Sequence, residues 1–337
     1  MRLWKWLAGG AIIAGAAECW VRSRRPDPPP KRRFAAAEDG HRLALDEYTP
    51  TVAAKGTVYL QHGLGSRANT FDLHPHGPSL ARWLCARGWR VFLGSMRGRE
   101  TGSAFDWTFS DYLLRDVPAL ARSVRARAGE RFHWVGHSLG GVLGLAYAAN
   151  SGGRELASVT TIGSALHYGV GETDFGEEKR RECTRRTLRG RRKVWNRLYH
   201  RIAAPAAALG LLPRRGLYNP DHMSADARLA FHGHTMADMT VPELFELAST
   251  FEGDGIECAE LGRRLPDLAR KLPVRWLSIV GGRDSLCPPE TARWTYDRVD
   301  SPGKRWHLAE SYGHVDLVCG TNADREIWPV LESFLDG

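Results

Sequence analysis

The stretch that most constrains this chain is residues 132–140, FHWVGHSLG. Its first four residues suit a buried strand and the small, apolar residues 141–149 suit a helix, so the sequence predicts strand, sharp turn and helix. A serine at the centre of G-x-S-x-G sits in a strained turn, and the flanking glycines let strand and helix pack closely. The hydroxyl of Ser138 is then exposed at a helix N-terminus, which favours developing negative charge. An ordinary serine at a glycine-rich helix start is the alternative; the flanking strand and helix favour a nucleophile.

Strands and helices alternate along most of the chain. Their spacing predicts an α/β fold with a mostly parallel central sheet and helices on both faces. In such sheets the chemistry lies beyond the carboxyl ends of the strands. The predicted strands are 41–48, 57–61, 89–93, 132–135, 156–162, 274–280 and 304–308, and the predicted helices are 79–87 and 111–128.

Charge is distributed unevenly over the 337 residues, which carry a formal charge of +9. Residues 1–33 hold eight Lys and Arg against two acids, and residues 179–201 hold eleven against one, so the remaining body is mildly acidic. Because no nucleic-acid-binding motif is present, we expect these basic segments to face a membrane headgroup layer and no nucleic acid.

The six scattered cysteines lack metal-like spacing and predict mostly free thiols, typical of a reducing compartment, with one or two disulfides as the alternative.

The first 33 residues are predicted to stand apart from the globular part. Residues 1–21 combine a basic start with a short apolar centre, which suits a membrane anchor or a cleavable signal peptide. Interfacial tryptophans and an arginine-rich flank favour the anchor, so we expect membrane association through this segment, with export after signal cleavage as the alternative. Residues 24–33, RRPDPPPKRR, predict a stiff, charged linker that does not pack.

Residues 166–255 interrupt the alternation and predict a cap inserted into the sheet. The core is then assigned to residues 34–165 and 256–337. Inside the cap, the basic run 179–201 is most simply a solvated helix face. The alternative is that residues 179–212, which end in an apolar segment, contact a lipid surface.

Two further residues fall where a serine nucleophile needs its partners, a base for its proton and a carboxylate that holds the base in one tautomer. Asp284 lies in GGRDS directly after a predicted strand, and His314 lies in YGHVD directly after the last one. The order Ser138, Asp284, His314 is expected for sheets of this kind. The alternative for Asp284 is an ordinary turn aspartate. His137, although adjacent to the serine, is predicted to point elsewhere.

The oxyanion formed by attack on an acyl group needs two backbone N–H donors. Leu139, directly after the serine, is predicted to provide one. Leu64, in the HGL motif after the strand 57–61, is predicted to provide the other, and His62 is expected to brace that loop. This chemistry requires no metal and no cofactor.

These motifs resemble the acid lipase family, the gastric and lysosomal lipases of the α/β-hydrolase superfamily, and related bacterial hydrolases. The resemblance rests on LQHGLGS, WRVFLGSMRGRE, FHWVGHSLGG, SIVGGRDSLCPP and YGHVDLVCG. It implies an α/β-hydrolase fold with an inserted lid, Ser138 as nucleophile, Asp284 as acid, His314 as base, and Leu64 and Leu139 as oxyanion donors. It also implies hydrolysis of acylglycerols or sterol esters at lipid interfaces. The chain departs from the family in its basic cap and in the leucine directly after the serine, where the lipases usually have glutamine.

We therefore expect a membrane-associated serine hydrolase that cleaves carboxylic esters with an apolar acyl part. An acyltransferase or thioesterase with the same triad is the alternative among enzymes, because the cap selects the acyl acceptor. A non-catalytic binding or scaffolding relative is the alternative outside enzymes. Such relatives usually lose a triad residue, and all three are present here.

Overall fold

The computed structural model describes residues 2–99, 104–170, 190–212, 217–251 and 253–337, with side chains from residue 13 onward. Its strands are β1 (Lys31–Ala36), β2 (Arg42–Tyr48), β3 (Gly56–Gln61), β4 (Trp89–Gly94), β5 (Phe132–His137), β6 (Leu156–Ile162), β7 (Lys193–Val194), β8 (Met239–Thr240), β9 (Glu257–Cys258), β10 (Arg263–Arg264), β11 (Arg275–Gly281) and β12 (Arg305–Ala309). The described part contains an eight-stranded sheet in the order β1-β2-β4-β3-β5-β6-β11-β12. β2 is antiparallel to β1 and β4, and the other pairings in this sheet are parallel. The prediction of a mostly parallel sheet is confirmed.

Helices connect most of these strands. They are α1 (Arg2–Ser23), α2 (Leu80–Ala86), α3 (Phe109–Asp111), α4 (Val117–Ala128), α5 (Leu139–Ser151), α6 (Asn196–Ala208), α7 (Ala225–Ala230), α8 (Val241–Leu247), α9 (Leu265–Leu268), α10 (Pro289–Arg298), α11 (Asp316–Cys319), α12 (Ala323–Glu326) and α13 (Trp328–Leu335). The predicted helix 111–128 is present as α3 and α4 joined by a π-helical turn, Tyr112–Asp116. The apolar spacing therefore predicts its extent and misses the wider turn inside it.

The core lies on both faces of the sheet, because alternate residues of a strand point to opposite sides. Tyr59 and Trp134, whose rings are 4.6 Å apart, pack with α4 and α5 on one face. Leu60 and Val135 pack with α2 and α13 on the other. Each large apolar side chain buried in this way contributes about 1.5–3 kcal/mol. Helices on both faces, as predicted, hold the sheet and the loops at its carboxyl edge in place.

The predicted linker is wrong in its last residues, because they belong to the edge strand β1. The basic side chains of β1 face acidic side chains of β2: Arg32 donates two hydrogen bonds to Asp46, at 2.7 and 2.9 Å, and Arg33 donates one to Glu47 at 3.2 Å. Cross-strand pairs of opposite charge contribute roughly 0.2–1 kcal/mol each. In the sequence such a run looks like a solvated linker, since its partners are known only once the strands pair.

The end of α1 packs against the inserted segment and does not stand apart. Val21 is 1% exposed, and a Cβ added to Gly233 would lie 2.6 Å from its Cγ1. Glu18 accepts a hydrogen bond from Arg201 Nε at 3.1 Å. The prediction of a separate N-terminal unit thus fails for these residues. Among the described helices, none combines the length and the apolar character that crossing a bilayer requires.

An inserted segment of short elements, with β7–β10 and α6–α9, lies between β6 and β11. His200, Phe231 and Met236 of this segment line the same cavity as Ser138, so the segment covers the carboxyl edge of the sheet there. The predicted cap, 166–255, lies within it, and the bounds of cap and core stay a prediction. Within the basic run, 179–189 fall outside the described residues, and the rest contains β7 and the first turns of α6.

The cysteines that the structure describes are free thiols: Cys19, Cys85, Cys258, Cys287 and Cys319. Cys183 lies outside the described residues. Burial raises the pKa of Cys287 and of Cys319 well above the usual range, so both thiols are neutral at ordinary pH.

Candidate active site

Ser138 joins β5 to α5 in a sharp turn. Its backbone angles, φ 53° and ψ −122°, lie outside the helical and extended regions, and its N–H donates to the Ile162 carbonyl at 2.8 Å. Two glycines permit this turn: a Cβ on Gly136 would lie 2.2 Å from the backbone of Gly140, and a Cβ on Gly140 would lie 2.1 Å from the Gln61 carbonyl oxygen. The turn therefore holds Ser138 at the N-terminus of α5, as expected for a nucleophile.

The structure brings Asp284 and His314 together in a buried pair. His314 Nδ1 lies 2.7 Å from Asp284 Oδ2. The other carboxylate oxygen accepts hydrogen bonds from the N–H groups of Leu286 and Cys287, at 2.9 and 2.8 Å, so its own loop fixes the carboxylate. His314 and Ser138 line one cavity. The three residues that the sequence predicts as a triad thus meet at one site.

A second carboxylate, which the sequence analysis missed, braces the loop that carries His314. Asp316 is fully buried; its Oδ2 accepts from the Gly313 N–H at 2.9 Å and its Oδ1 from the Asn219 N–H at 3.3 Å. Burial raises the pKa of Asp316 to about 6. The signal in the sequence is an acid two residues after the predicted base, but its partner Asn219 is nearly a hundred residues away along the chain.

His137 lies against the predicted base, so the prediction that it points elsewhere is wrong. The rings of His137 and His314 have centroids 4.7 Å apart, and His137 Nε2 donates to the His314 carbonyl oxygen at 3.0 Å. Burial lowers the pKa of His137 well below its usual value, so the ring is neutral. The sequence misplaces this ring because its partner, His314, lies 177 residues further along the chain.

The predicted oxyanion donors, Leu64 and Leu139, line the cavity beside Ser138. Among the described residues, none accepts a hydrogen bond from either N–H. His62 braces the loop before Leu64 as expected, since Nδ1 donates to the Gly63 carbonyl at 2.9 Å and Nε2 accepts from a backbone N–H at 3.4 Å. Burial lowers the pKa of His62 to about 3, so it does this as a neutral imidazole. The two N–H groups are available to a ligand.

The cavity at Ser138 has a volume of about 350 Å³. Its wall is mostly apolar, with side chains from the core and the inserted segment that include Leu217, Phe231, Met236, Met239, Leu247, Phe251 and Ile256. A cavity of this size and composition suits a small organic ligand that buries an apolar chain.

An elbow serine and a histidine–aspartate pair at the carboxyl edge of a mostly parallel sheet define a protein of the α/β-hydrolase class. A family model described as serine aminopeptidase, S33 (Hydrolase_4) matches residues 52–317, and the chain belongs to this family.

Lipases are among the similar proteins. Human lipase member K is 25% identical over 323 residues, which cover 83% of this chain and 79% of that protein. Rat gastric triacylglycerol lipase is 31% identical over 132 residues, covering 34% of this chain and 33% of that protein. Triacylglycerol lipase 2 of Arabidopsis thaliana is 26% identical over 106 residues, which span only 25% of its length. The resemblance to the acid lipases is confirmed.

Solved structures share the fold. The monoacylglycerol lipase of Paleococcus ferrophilus superposes with a TM-score of 0.56 at 19% identity, covering 81% of this chain and 90% of that one. The esterase of Exiguobacterium antarcticum superposes with a TM-score of 0.57 at 15% identity, covering 91% of this chain and 100% of that one. At these identities the likeness establishes the α/β-hydrolase fold and leaves the substrate open.

Proposed function

We propose that this protein is a serine hydrolase that cleaves carboxylic esters with an apolar acyl part. The observation that carries the proposal is the hydrogen bond between His314 and Asp284 at the cavity that also exposes Ser138 in a strained turn. Lipase and esterase relatives support carboxylic ester hydrolysis as the reaction class.

In the proposed mechanism His314 Nε2 takes the proton of the Ser138 hydroxyl while Oγ attacks the ester carbonyl. The N–H groups of Leu64 and Leu139 hold the resulting oxyanion. The imidazolium then protonates the leaving alcohol, and an acyl-enzyme forms on Oγ. His314 next deprotonates a water molecule that attacks the acyl group, and the acid leaves as Ser138 regains its proton. Asp284 keeps Nδ1 protonated throughout and stabilises the imidazolium.

The apolar cavity wall supports the choice of an apolar acyl part. Burial of a hydrocarbon chain contributes about 0.8 kcal/mol for each methylene group removed from water. A cavity of about 350 Å³ lined by leucine, phenylalanine and methionine therefore favours medium chains over acetate.

Ser138→Ala tests the nucleophile. We expect the variant to lose turnover of p-nitrophenyl octanoate and covalent labelling by a fluorophosphonate, while its circular dichroism and unfolding curve match a folded protein. Ser151→Ala, which changes a serine at the other end of α5, is the matched control and keeps both activities. Labelling of Ser138→Ala at the wild-type level would falsify the assignment.

We also propose that the outer face of α6 contacts an anionic lipid surface. The apolar side chains of Trp195, Leu198, Tyr199 and Ile202 have a helical spacing and are exposed, Ile202 by 71%. Within residues 190–212, Lys193 and Arg201 pair with Asp238 and Glu18. Arg191, Arg192 and Arg197 are also exposed on this segment, so its surface is both apolar and basic. That combination is typical of a helix that lies in a membrane interface. Since Glu18 and Val21 of α1 pack beside α6, the proposal keeps the N-terminal segment at the same surface.

The membrane proposal is tested by sedimentation with vesicles of phosphatidylcholine, with and without phosphatidylglycerol. We expect binding that needs the anionic lipid and falls at high salt, because surface charges are then screened. The double change Leu198→Glu and Ile202→Glu weakens binding by about tenfold or more, since two apolar chains no longer enter the interface. Val52→Glu, an exposed apolar position before β3, is the control. Equal binding of the double variant and the control contradicts the proposal.

A further inference from the structure

The inner face of α6 contributes polar groups to the cavity of the candidate active site. Asn196 and His200 are four residues apart, so they lie on the same side of the helix, and both line the cavity together with Ser138. Most of the remaining wall is apolar. A polar pair in an apolar cavity is the usual device for fixing the orientation of a ligand.

The contacts of Asn196 determine which of its side-chain atoms is left for a ligand. Its Nδ2 donates to the carbonyl oxygens of Gly65 and Ala237, each at 3.0 Å. Both protons of the amide are used, and the oxygen Oδ1 is left as an acceptor. None of the described residues donates a hydrogen bond to it.

His200 is the second polar group, and a chain of hydrogen bonds controls its proton. Its Nδ1 lies 2.7 Å from Nδ1 of His232, and Nε2 of His232 lies 3.1 Å from the Tyr218 hydroxyl. His200 is 8% exposed, and no described residue bonds to its Nε2. Burial lowers the pKa of His200 to about 4 and that of His232 to about 3. Above these values both rings are neutral and share one proton between the two Nδ1 atoms.

This sharing makes His200 adaptable. If Tyr218 donates to His232, then His232 donates to His200, and Nε2 of His200 carries a proton. If the chain runs in the opposite direction, Nε2 of His200 is an acceptor. The group can therefore meet either the proton or the lone pair of a hydroxyl, and it carries no charge that would bind a carboxylate or a phosphate.

A third polar group of the same wall is the hydroxyl of Thr70. Thr70 is 1% exposed and lines the cavity, and its Oγ1 has no hydrogen-bond partner among the described residues. Buried polar atoms without partners are unfavourable until a ligand or water satisfies them. The cavity thus combines a long apolar wall with neutral donors and acceptors, which suits an acyl chain joined to a hydroxylated alcohol.

We propose that Asn196 and His200 form a hydroxyl-binding subsite that selects esters whose alcohol part keeps a free hydroxyl, such as partial esters of a polyol. The inference rests on the proposed function, because the ester must be held at Ser138 while the alcohol contacts α6. A fully acylated ester lacks the hydroxyl and gains nothing from this subsite.

The test compares two esters with the same acyl chain and the same three-carbon alcohol skeleton, glyceryl 1-octanoate and propyl octanoate. We expect the wild-type protein to prefer the glyceryl ester by about tenfold or more in kcat/KM, the factor for one well-made buried hydrogen bond. His200→Phe fills the same space without a polar atom and removes most of this preference. His200→Gln, which retains a donor and an acceptor, keeps part of it. His234→Phe is the control, because His234 is also in the inserted segment but bonds to the Val21 carbonyl.

The outcomes separate this inference from the proposed function. If the wild-type protein hydrolyses both esters at similar kcat/KM, or if His200→Phe slows both by the same factor, the subsite is overturned while ester hydrolysis stands. The wild-type comparison needs no variant, so the inference can be refuted even where His200→Phe fails to fold. If neither octanoate ester nor p-nitrophenyl octanoate is hydrolysed, the proposed function fails and the subsite fails with it.

Discussion

The buried carboxylate of Asp316 allows a quantitative test of how the histidine loop is held. Asp316→Asn keeps the size and one acceptor oxygen and removes the charge. In the folded protein burial raises the pKa of Asp316 from 3.8 to about 6. Because the folded state then binds the proton more tightly than the unfolded state, the stabilisation is fully present below pH 3.8 and is lost as the pH rises through about 6.

The size of the effect follows from this change in pKa. The contribution of Asp316 to the free energy of unfolding falls by about 3 kcal/mol from pH values well below 3.8 to pH values well above 6. About 2 kcal/mol of this change falls between about pH 4.5 and about pH 6.5. Asparagine does not titrate, so the free energy of unfolding of Asp316→Asn, relative to wild type, should rise by about 2 kcal/mol over this window. Urea unfolding at several pH values measures it, and the other acids cancel in the difference. A difference that stays constant within about 0.5 kcal/mol refutes the reasoning, since the carboxyl would then titrate alike in both states.

Three further predictions concern the turn at Ser138 and the candidate triad. Ser138→Gly abolishes hydrolysis and raises the free energy of unfolding by about 1 kcal/mol, because glycine adopts φ 53° without strain. Denaturant unfolding of Ser138→Gly and Ser138→Ala measures this, and equal stability of the two variants would count against it. Gly140→Ala lowers the free energy of unfolding by about 3 kcal/mol or more, since its Cβ would lie 2.1 Å from the Gln61 carbonyl oxygen. Gly15→Ala is the control, because a Cβ added there has no neighbouring atom within 4 Å. Asp284→Asn lowers kcat for p-nitrophenyl octanoate by about a thousandfold or more, because the histidine loses the group that fixes its tautomer; near-normal turnover would show that another residue does this.

Much of the sheet could be predicted from the sequence because its elements are locally specified. The strand β6 was predicted at its observed bounds, and β3, β4, β11 and β12 within one residue. Buried parallel strands are continuous apolar runs bounded by glycine and polar loops, so each can be read without knowing its neighbours. The strand β1 could not be predicted in this way, because its basic residues form a strand only when they face the acidic residues of β2.

The residues of the candidate site also fall into those that local patterns predict and those that they miss. Ser138, Asp284 and His314 each follow a strand directly, and parallel strands bring their carboxyl ends to one edge, so local patterns plus this rule predict all three. His137, Asp316 and the polar face of α6 were missed or misplaced. Their roles depend on partners far along the chain, such as His314 for His137 and Asn219 for Asp316.

The sequence by itself determined the fold class, the sharp turn at Ser138 and the chain order of the candidate triad, because strand and helix propensities and glycine positions act over a few residues. Only the tertiary structure decided what surrounds these groups. It determined the packing of α1 on the inserted segment, the hydrogen bonds of Asp316 to the loop that carries His314, and the position of His200 in the cavity wall. The physical reason is that burial and hydrogen bonding between distant segments set these contacts, and no local pattern records which segments will meet.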